Sequence, residues 1–275
     1  MLKKIVLTGA AGRCGSIVRP MLAAICEELI SSDIVESIDA LAANESYVKA
    51  DLADYTAIAA MMDDVEMVVH FGAIVDEGPF EELLGPNFIG SYNVWDSAQK
   101  AGARRIVYAS SIHAVGMHPR QSCIGIDAEH RPDTFYGLAK CFTEDLGRMY
   151  WEKRGIESVH LRILSCAPVK NARALGTWLS DDDLVRLVQR AIDTPTTGFA
   201  VIYGVSDNDR SPVDNSKAAF LGYRPQDNAE QFAEEILATE GAGDPGDLAQ
   251  MVHGGPFGPV PLGQGGAAAA AKGDD

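Results

Sequence analysis

The sequence predicts an α/β protein built on a doubly wound parallel sheet. Short apolar, β-branched runs alternate along the chain with amphipathic segments of ten residues or more. A glycine-rich turn joins the first apolar run to the first helical segment. With 275 residues, 47% of them hydrophobic, the chain is large enough to bury a full core in one domain.

The elements follow from periodicity. Lys3 to Leu7 reads as a buried strand, and Cys14 to Glu28 as a helix with Ile17, Val18, Met21, Leu22 and Ile25 at helical spacing. A second strand ends near residues 30–33, a third covers Tyr47 to Lys49, and Val65 to Phe71 is a fourth. The long amphipathic run Glu81 to Lys100 predicts a helix, with Arg105 to Ser110 as the fifth strand. The second half repeats the alternation: helix Tyr136 to Arg154, strand Ser158 to Leu164, helix Asp181 to Asp193, strand Phe199 to Tyr203, and a last helix near Ala229 to Ala238.

Beyond Thr239 the composition turns to Gly, Pro and Ala. Residues 241–275 are therefore expected to be an extended or partly disordered tail, or one that packs on a neighbouring subunit, because they carry little apolar surface of their own. Residues 1–240 are expected to form one domain, with 1–164 mainly holding a cofactor and 165–240 forming a reduced C-terminal substrate lobe.

Composition excludes several classes. A net charge of −16 and an isoelectric point near 4.7 argue against phosphate-rich nucleic acid and anionic lipid as partners. The apolar run after Lys4 breaks at Thr8-Gly9, before a secretory signal could form, and no stretch is long and apolar enough for a membrane span. The five cysteines form no CxxC pair and no cluster with histidine, so they read as reduced thiols of a cytoplasmic protein, with no metal site.

Between the first strand and helix lies Thr8-Gly9-Ala10-Ala11-Gly12-Arg13-Cys14-Gly15, a GxxGxxG spacing. Glycines there permit a tight turn and let a pyrophosphate approach the helix N-terminus, so Gly9, Ala11, Gly12, Arg13, Cys14 and Gly15 are candidate cofactor residues. Asp33 lies eighteen residues past Gly15, after the second strand, where a carboxylate accepts both ribose hydroxyls and repels a 2′-phosphate. This favours NAD over NADP. Asp39 falls too late to compete, whereas Arg13 is the counter-signal, since a guanidinium in the loop attracts phosphate. Asp51 and Leu52 after the third strand are expected to flank the adenine, with Phe71, Gly72 and Ala73 after the fourth passing under the cofactor.

In Tyr136-Gly137-Leu138-Ala139-Lys140 two polar residues stand four apart at a helix start, on one face. An ammonium there is expected to lower the tyrosine's pKa, so that the phenolate takes a proton from a substrate hydroxyl while hydride leaves. Ser111, twenty-five residues earlier, closes the fifth strand, at the sheet edge where ligands bind.

Together the glycine loop, Asp51-Leu52, the Ser111 segment and the Tyr136/Lys140 pair resemble the extended short-chain dehydrogenase/reductase family over about residues 1–240. The resemblance implies a Rossmann-like sheet, Tyr136 as general base, Lys140 on the nicotinamide ribose and Ser111 orienting the reacting oxygen. It also implies that Asn87, in Pro86-Asn87-Phe88-Ile89-Gly90, and Cys166 lie near the cofactor.

The segments Ala109 to Gly116, Tyr136 to Phe142, Arg162 to Cys166, Thr177 to Ser180 and Val201 to Ser206 are further similar to uronate dehydrogenases, which oxidise the anomeric carbon of a cyclic hexuronate to a lactone with NAD. By that resemblance His113 and Ser165 bind sugar hydroxyls and Arg173 pairs with the C6 carboxylate, for which its planar fork is suited. Ile112 and Val75 stand where those enzymes carry asparagine and serine, so the two positions are expected to change the substrate pocket. Only about seventy-five residues separate Leu164 from the tail, too few for a lobe that holds a nucleotide sugar, so a small sugar or sugar acid is the expected substrate. An NAD-retaining epimerase or dehydratase, a dehydrogenase for another sugar or alcohol, and a non-catalytic NAD-binding protein are the alternatives. A homo-oligomer is compatible with all of them.

Overall fold

The computed structural model describes residues 1–239 and 246–266. The first half runs β1 (Leu2–Thr8), α1 (Arg13–Ile25), β2 (Cys26–Asp33), β3 (Glu45–Lys49), α2 (Tyr55–Met61), β4 (Met67–His70), α3 (Phe80–Leu83), α4 (Gly90–Lys100) and β5 (Arg105–Tyr108). It continues with β6 (Ile124–Gly125), α5 (Phe135–Arg154), β7 (Glu157–Ile163), α6 (Ala174–Thr177), α7 (Asp181–Asp193), β8 (Phe199–Gly204), β9 (Val213–Asp214), α8 (Ala233–Thr239) and α9 (Leu248–Met251).

Seven strands form one sheet in the order β3-β2-β1-β4-β5-β7-β8, every pair parallel, while β6 and β9 make a separate two-stranded ladder. Both faces of the sheet are covered, which is why its strands read as continuous apolar runs. Ile5 and Leu7 point into a cluster with Val18, Leu22, Leu184 and Leu187. Val6 points the other way, to Ile58, Val94, Trp95 and Ile106. The strand order reverses between β2-β1 and β4-β5, and the crevice at that reversal is where a ligand fits this architecture.

Three elements depart from expectation. α1 stops at Ile25, because the β1 ladder begins pairing at Cys26 and Asn44 Nδ2 donates to the carbonyls of Ala23 and Cys26 at 2.9 Å each. The long helix is interrupted at Leu84–Ile89 by a π turn. Pro86 cannot donate to its i−4 carbonyl, and the chain absorbs the loss by widening one turn, with Gly90 N–H bonded to Gly85 O. The last helix begins as a 3-10 turn over Ala229–Phe232 and becomes α-helical only at Ala233.

The tail expectation is overturned for residues 246–266. They fold back on their own chain with Val252, His253, Gly254, Gly255 and Phe257 buried. The order comes from backbone pairing rather than apolar area: Arg120 N–H donates to Met251 O at 2.8 Å, His253 N–H to His118 O at 3.0 Å and Gly254 N–H to Gly116 O at 2.9 Å. The alanine run at 267–271 lies outside the described residues. Among the described residues no helix is long and apolar enough to cross a membrane, and no cluster of His, Cys, Asp and Glu could hold a metal ion.

Candidate active site

A cavity of about 800 Å³ opens at the C-terminal ends of β1 to β5 and β7. Gly9, Ala11, Gly12, Arg13, Cys14 and Gly15 form one end, Asp33, Asp51 and Leu52 one side, and Phe71, Gly72 and Ala73 the floor. Val75, Ser111, His113, Tyr136, Lys140, Ser165 and Cys166 line the remainder. Three expected residues are not on its wall: Asn87, Ile112 and Arg173.

The glycine spacing is explained by close approach. Gly9 has φ +74°, and a Cβ there would sit 2.5 Å from Gly72 N. A Cβ on Gly15 would sit 2.0 Å from Gly9 O, so α1 starts in contact with the loop only because residue 15 has no side chain. No side chain caps α1, which leaves its first turn open toward the cavity, the arrangement that receives a phosphate at a helix N-terminus.

Asp33 ends β2 with Oδ2 accepting from Ala11 N–H at 2.9 Å and Oδ1 from Ile34 N–H at 2.7 Å. Arg13 turns away: its Nη2 lies 2.6 Å from Asp181 Oδ1 and its Nε donates to Cys166 O at 2.7 Å. The cradle, the carboxylate at the end of β2 and the engaged loop arginine together fit a dinucleotide without a 2′-phosphate.

Ser111, ending the fifth strand segment, caps a 3-10 turn over Ile112–Val115. The turn places His113 in the cavity and buries Ile112 in an apolar cluster with Leu164, Tyr203 and Val205. Ile112 is thus buried behind the cavity and is not on its wall. Tyr136 and Lys140 come from the first turns of α5, whose cap Thr134 accepts from Gly137 N–H at 3.0 Å. Lys140 Nζ donates to Ala109 O at 2.7 Å and lies 5.2 Å from the Tyr136 ring centre.

Burial pushes Tyr136 well above the ordinary phenol range, with the hydrogen bond from Ser111 opposing it. Burial likewise drives Lys140 down to about 7, against the nearby Cys14 and Glu144. The expected lowering of Tyr136 by Lys140 is thus not found: desolvation dominates both groups.

Asn87 sits on the π turn and holds the loop after β4, its Oδ1 accepting from Ile74 N–H at 2.8 Å and its Nδ2 donating to Ile74 O at 2.9 Å. It shapes the wall that carries Ala73 and Val75. Arg173 is covered by the C-terminal segment: Nη2 donates to the His253 carbonyl, Gly255 lies against the guanidinium, and Nε is buried without an acceptor.

Two site features escaped the sequence reading. Phe257 comes from the folded tail, lines the cavity and packs on His113 with ring centres 3.9 Å apart. Glu77, buried to 3%, accepts from Tyr136 N–H at 3.1 Å and from Gly263 N–H at 2.8 Å, joining α5 to the tail. No local signal marks either residue, because both contacts span long sequence separations.

A parallel sheet of this order, covered on both faces and with this cavity at its strand ends, places the chain among the dinucleotide-binding α/β proteins, and the chain belongs to the NAD dependent epimerase/dehydratase family, whose model matches residues 5–168. Among its relatives, the chain is 42% identical to a uronate dehydrogenase of Pseudomonas putida, over 92% of this chain and 95% of that one. A solved glucuronic acid dehydrogenase from Chromohalobacter salexigens superposes with a TM-score of 0.91 at 43% identity, covering 95% of this chain and 98% of the other. A mutant uronate dehydrogenase from Agrobacterium tumefaciens, solved in complex with NAD, gives a TM-score of 0.90 at 42% identity, with 95% and 98% covered.

Proposed function

We propose that the chain is an NAD-dependent dehydrogenase that oxidises a cyclic hexuronate, or a related aldose, at the anomeric carbon to the lactone. The observation that carries this is the meeting of Ser111, Tyr136 and Lys140 in the cavity whose far end is the glycine loop. NAD, when bound, supplies the hydride acceptor.

The chain's own residues do the rest. The Ser111 hydroxyl orients the reacting oxygen beside Tyr136, and Tyr136, once ionised to the phenolate beside the Lys140 ammonium, takes its proton as general base while hydride leaves to NAD. Lys140, fixed by the Ala109 carbonyl, holds the ribose and places its amine next to the phenol. The glycine loop takes the pyrophosphate, Asp33 the adenosine ribose, and Asp51, Leu52, Phe71, Gly72, Ala73 and Cys166 the flanks. His113 and Ser165 receive sugar hydroxyls. Arg173, the carboxylate partner by the resemblance, lies off the cavity wall beneath the tail, and its place in this reading rests on the resemblance and on the planar fork of its guanidinium.

The test is a spectrophotometric screen of the purified protein with NAD and with NADP against galacturonate, glucuronate and a panel of aldoses. NADH formation on a uronate is expected, and none on any of these sugars overturns the reading. Val75 favours a second reading. It lines the cavity and is 58% exposed, so the pocket lacks a hydroxyl where the similar enzymes have serine, and a less polar aldose would be the better substrate.

The same proposal includes a cytoplasmic enzyme, supported by its free cysteines, and excludes nucleic acid and anionic membrane as partners on the strength of its net charge of −16. It includes a homo-oligomer, supported by exposed apolar side chains on two neighbouring helices, Tyr92 of α4 and Phe142 and Met149 of α5. Sedimentation velocity checks the assembly.

A further inference from the structure

The cavity wall that carries His113 is organised around an acid that does not line the cavity, Asp133. Its side chain is fully buried, and its Oδ2 lies 2.7 Å from His113 Nδ1. Its Oδ1 accepts from the Thr134 hydroxyl at 2.9 Å. The other imidazole nitrogen, Nε2, holds no hydrogen bond among the described residues, although the ring lines the cavity and stands 5.6 Å, centre to centre, from the Tyr136 ring.

Three glycines from three segments close on this carboxylate. A Cβ would stand 2.0 Å from Oδ2 at Gly116 and 1.9 Å from it at Gly254, and 3.0 Å from Oδ1 at Gly137. Gly116 follows the Ser111 turn, Gly137 belongs to the catalytic helix, and Gly254 to the folded tail. The fold gives up a side chain at each of these positions and so leaves the carboxylate in one place, facing Nδ1. A neutral imidazole whose Nδ1–H is taken by a carboxylate has an unprotonated Nε2.

We propose that Asp133 is a positioning residue that fixes the Nδ1–H tautomer of His113, so that Nε2 acts as a hydrogen-bond acceptor selecting sugars with a free hydroxyl near the carbon that Tyr136 serves. The proposal rests on the sugar-dehydrogenase reading above and names the specificity device within it. Phe257, packed at a tilt of 31° against the same ring, limits the imidazole's movement out of its plane, and the bonded Nδ1 limits its rotation within it.

Asp133→Asn is the informative variant. The Thr134 hydroxyl donates to Oδ1, so the amide oxygen stays with Thr134 and the amide nitrogen, a donor, faces His113. The ring must then present an unprotonated Nδ1 and a protonated Nε2, turning an acceptor into a donor. Gly254→Ala pushes the carboxylate aside without changing its chemistry and is expected to act in the same direction.

The experiment has two stages. NAD-linked turnover of uronates by the parent protein is measured first, and its absence counts against the sugar-dehydrogenase reading rather than against Asp133. Parent, Asp133→Asn and Gly254→Ala are then compared on the accepted sugar and on analogues deoxygenated or O-methylated at each ring hydroxyl. The parent is expected to lose on the order of tenfold to a hundredfold in kcat/KM on one analogue pair, and the variants to lose most of that discrimination while the KM for NAD stays within about threefold.

Nitrogen-15 NMR of histidine-labelled parent protein reads the tautomer directly, and does so even if a variant fails to fold. A protonated Nδ1 with a bare Nε2 on His113 supports the proposal. A protonated Nε2, or a folded Asp133→Asn that keeps full discrimination, overturns it.

Discussion

Arg13 Nη2 lies 2.6 Å from Asp181 Oδ1, across from the glycine loop that carries the arginine. Both side chains are about half exposed, so the pair adds little stability, but it decides where the loop's cation points. With Arg13 engaged and Asp33 at the end of β2, preference for NAD follows. Asp33→Ala together with Asp181→Ala is expected to raise kcat/KM for NADP relative to NAD by on the order of tenfold to a hundredfold, measured by steady-state kinetics with each cofactor.

Tyr136→Phe keeps the ring that packs beneath Phe257 and removes the hydroxyl. Turnover is expected to fall by about a hundredfold to ten-thousandfold while the dissociation constant for NAD, read by fluorescence titration, changes by less than about threefold. Unchanged turnover would remove Tyr136 from the role of base.

The folded tail contributes Phe257 to the substrate end of the cavity and no residue to the glycine-loop end. Phe257→Ala should therefore raise the KM for sugar by roughly tenfold, equivalent to about 1.4 kcal/mol of binding, with NAD affinity preserved. A chain ending at residue 245 is expected to show a larger loss of the same kind. Equal loss of NAD affinity in both would argue that the tail supports the whole fold.

His70 and His160 are fully buried, and desolvation holds them neutral down to about 3 and about 4. In the unfolded chain both protonate near 6.5. Below that value the unfolded state binds more protons than the folded one, so stability falls as pH drops from 6.5 toward 4 and is fully present above it. A loss of a few kcal/mol is expected between pH 7 and pH 4.5 in urea titrations. His160→Phe, in the cluster with Trp95 and Tyr108, should show a smaller loss over the same interval.

Much of the fold was legible because it rests on local rules. Glycines 9, 12 and 15 announced a strand-turn-helix, and the apolar runs at β1, β4 and β5 announced buried parallel strands. α2 was equally legible and passed unread: Asp54 caps it, accepting from Thr56 and Ala57 N–H at 2.9 and 3.1 Å. The end of α1 was not, since helical periodicity continues past Ile25 and only pairing with β1 converts Cys26 into strand.

By itself the sequence determined the sheet, the glycine loop and the spacing that brings Ser111, Tyr136 and Lys140 to one wall, because each depends on residue types a few positions apart and on strand ends that every parallel sheet gathers at one edge. Tertiary structure alone decided that Ile112 faces the core, that Arg173 lies beneath the tail, that Arg13 is held by Asp181 and that Phe257 covers His113. Those outcomes depend on backbone hydrogen bonds and side-chain contacts between segments that lie far apart in the chain, such as Arg173 with His253 at a separation of 80 and Arg13 with Asp181 at 168, and no local pattern of residue types carries that information.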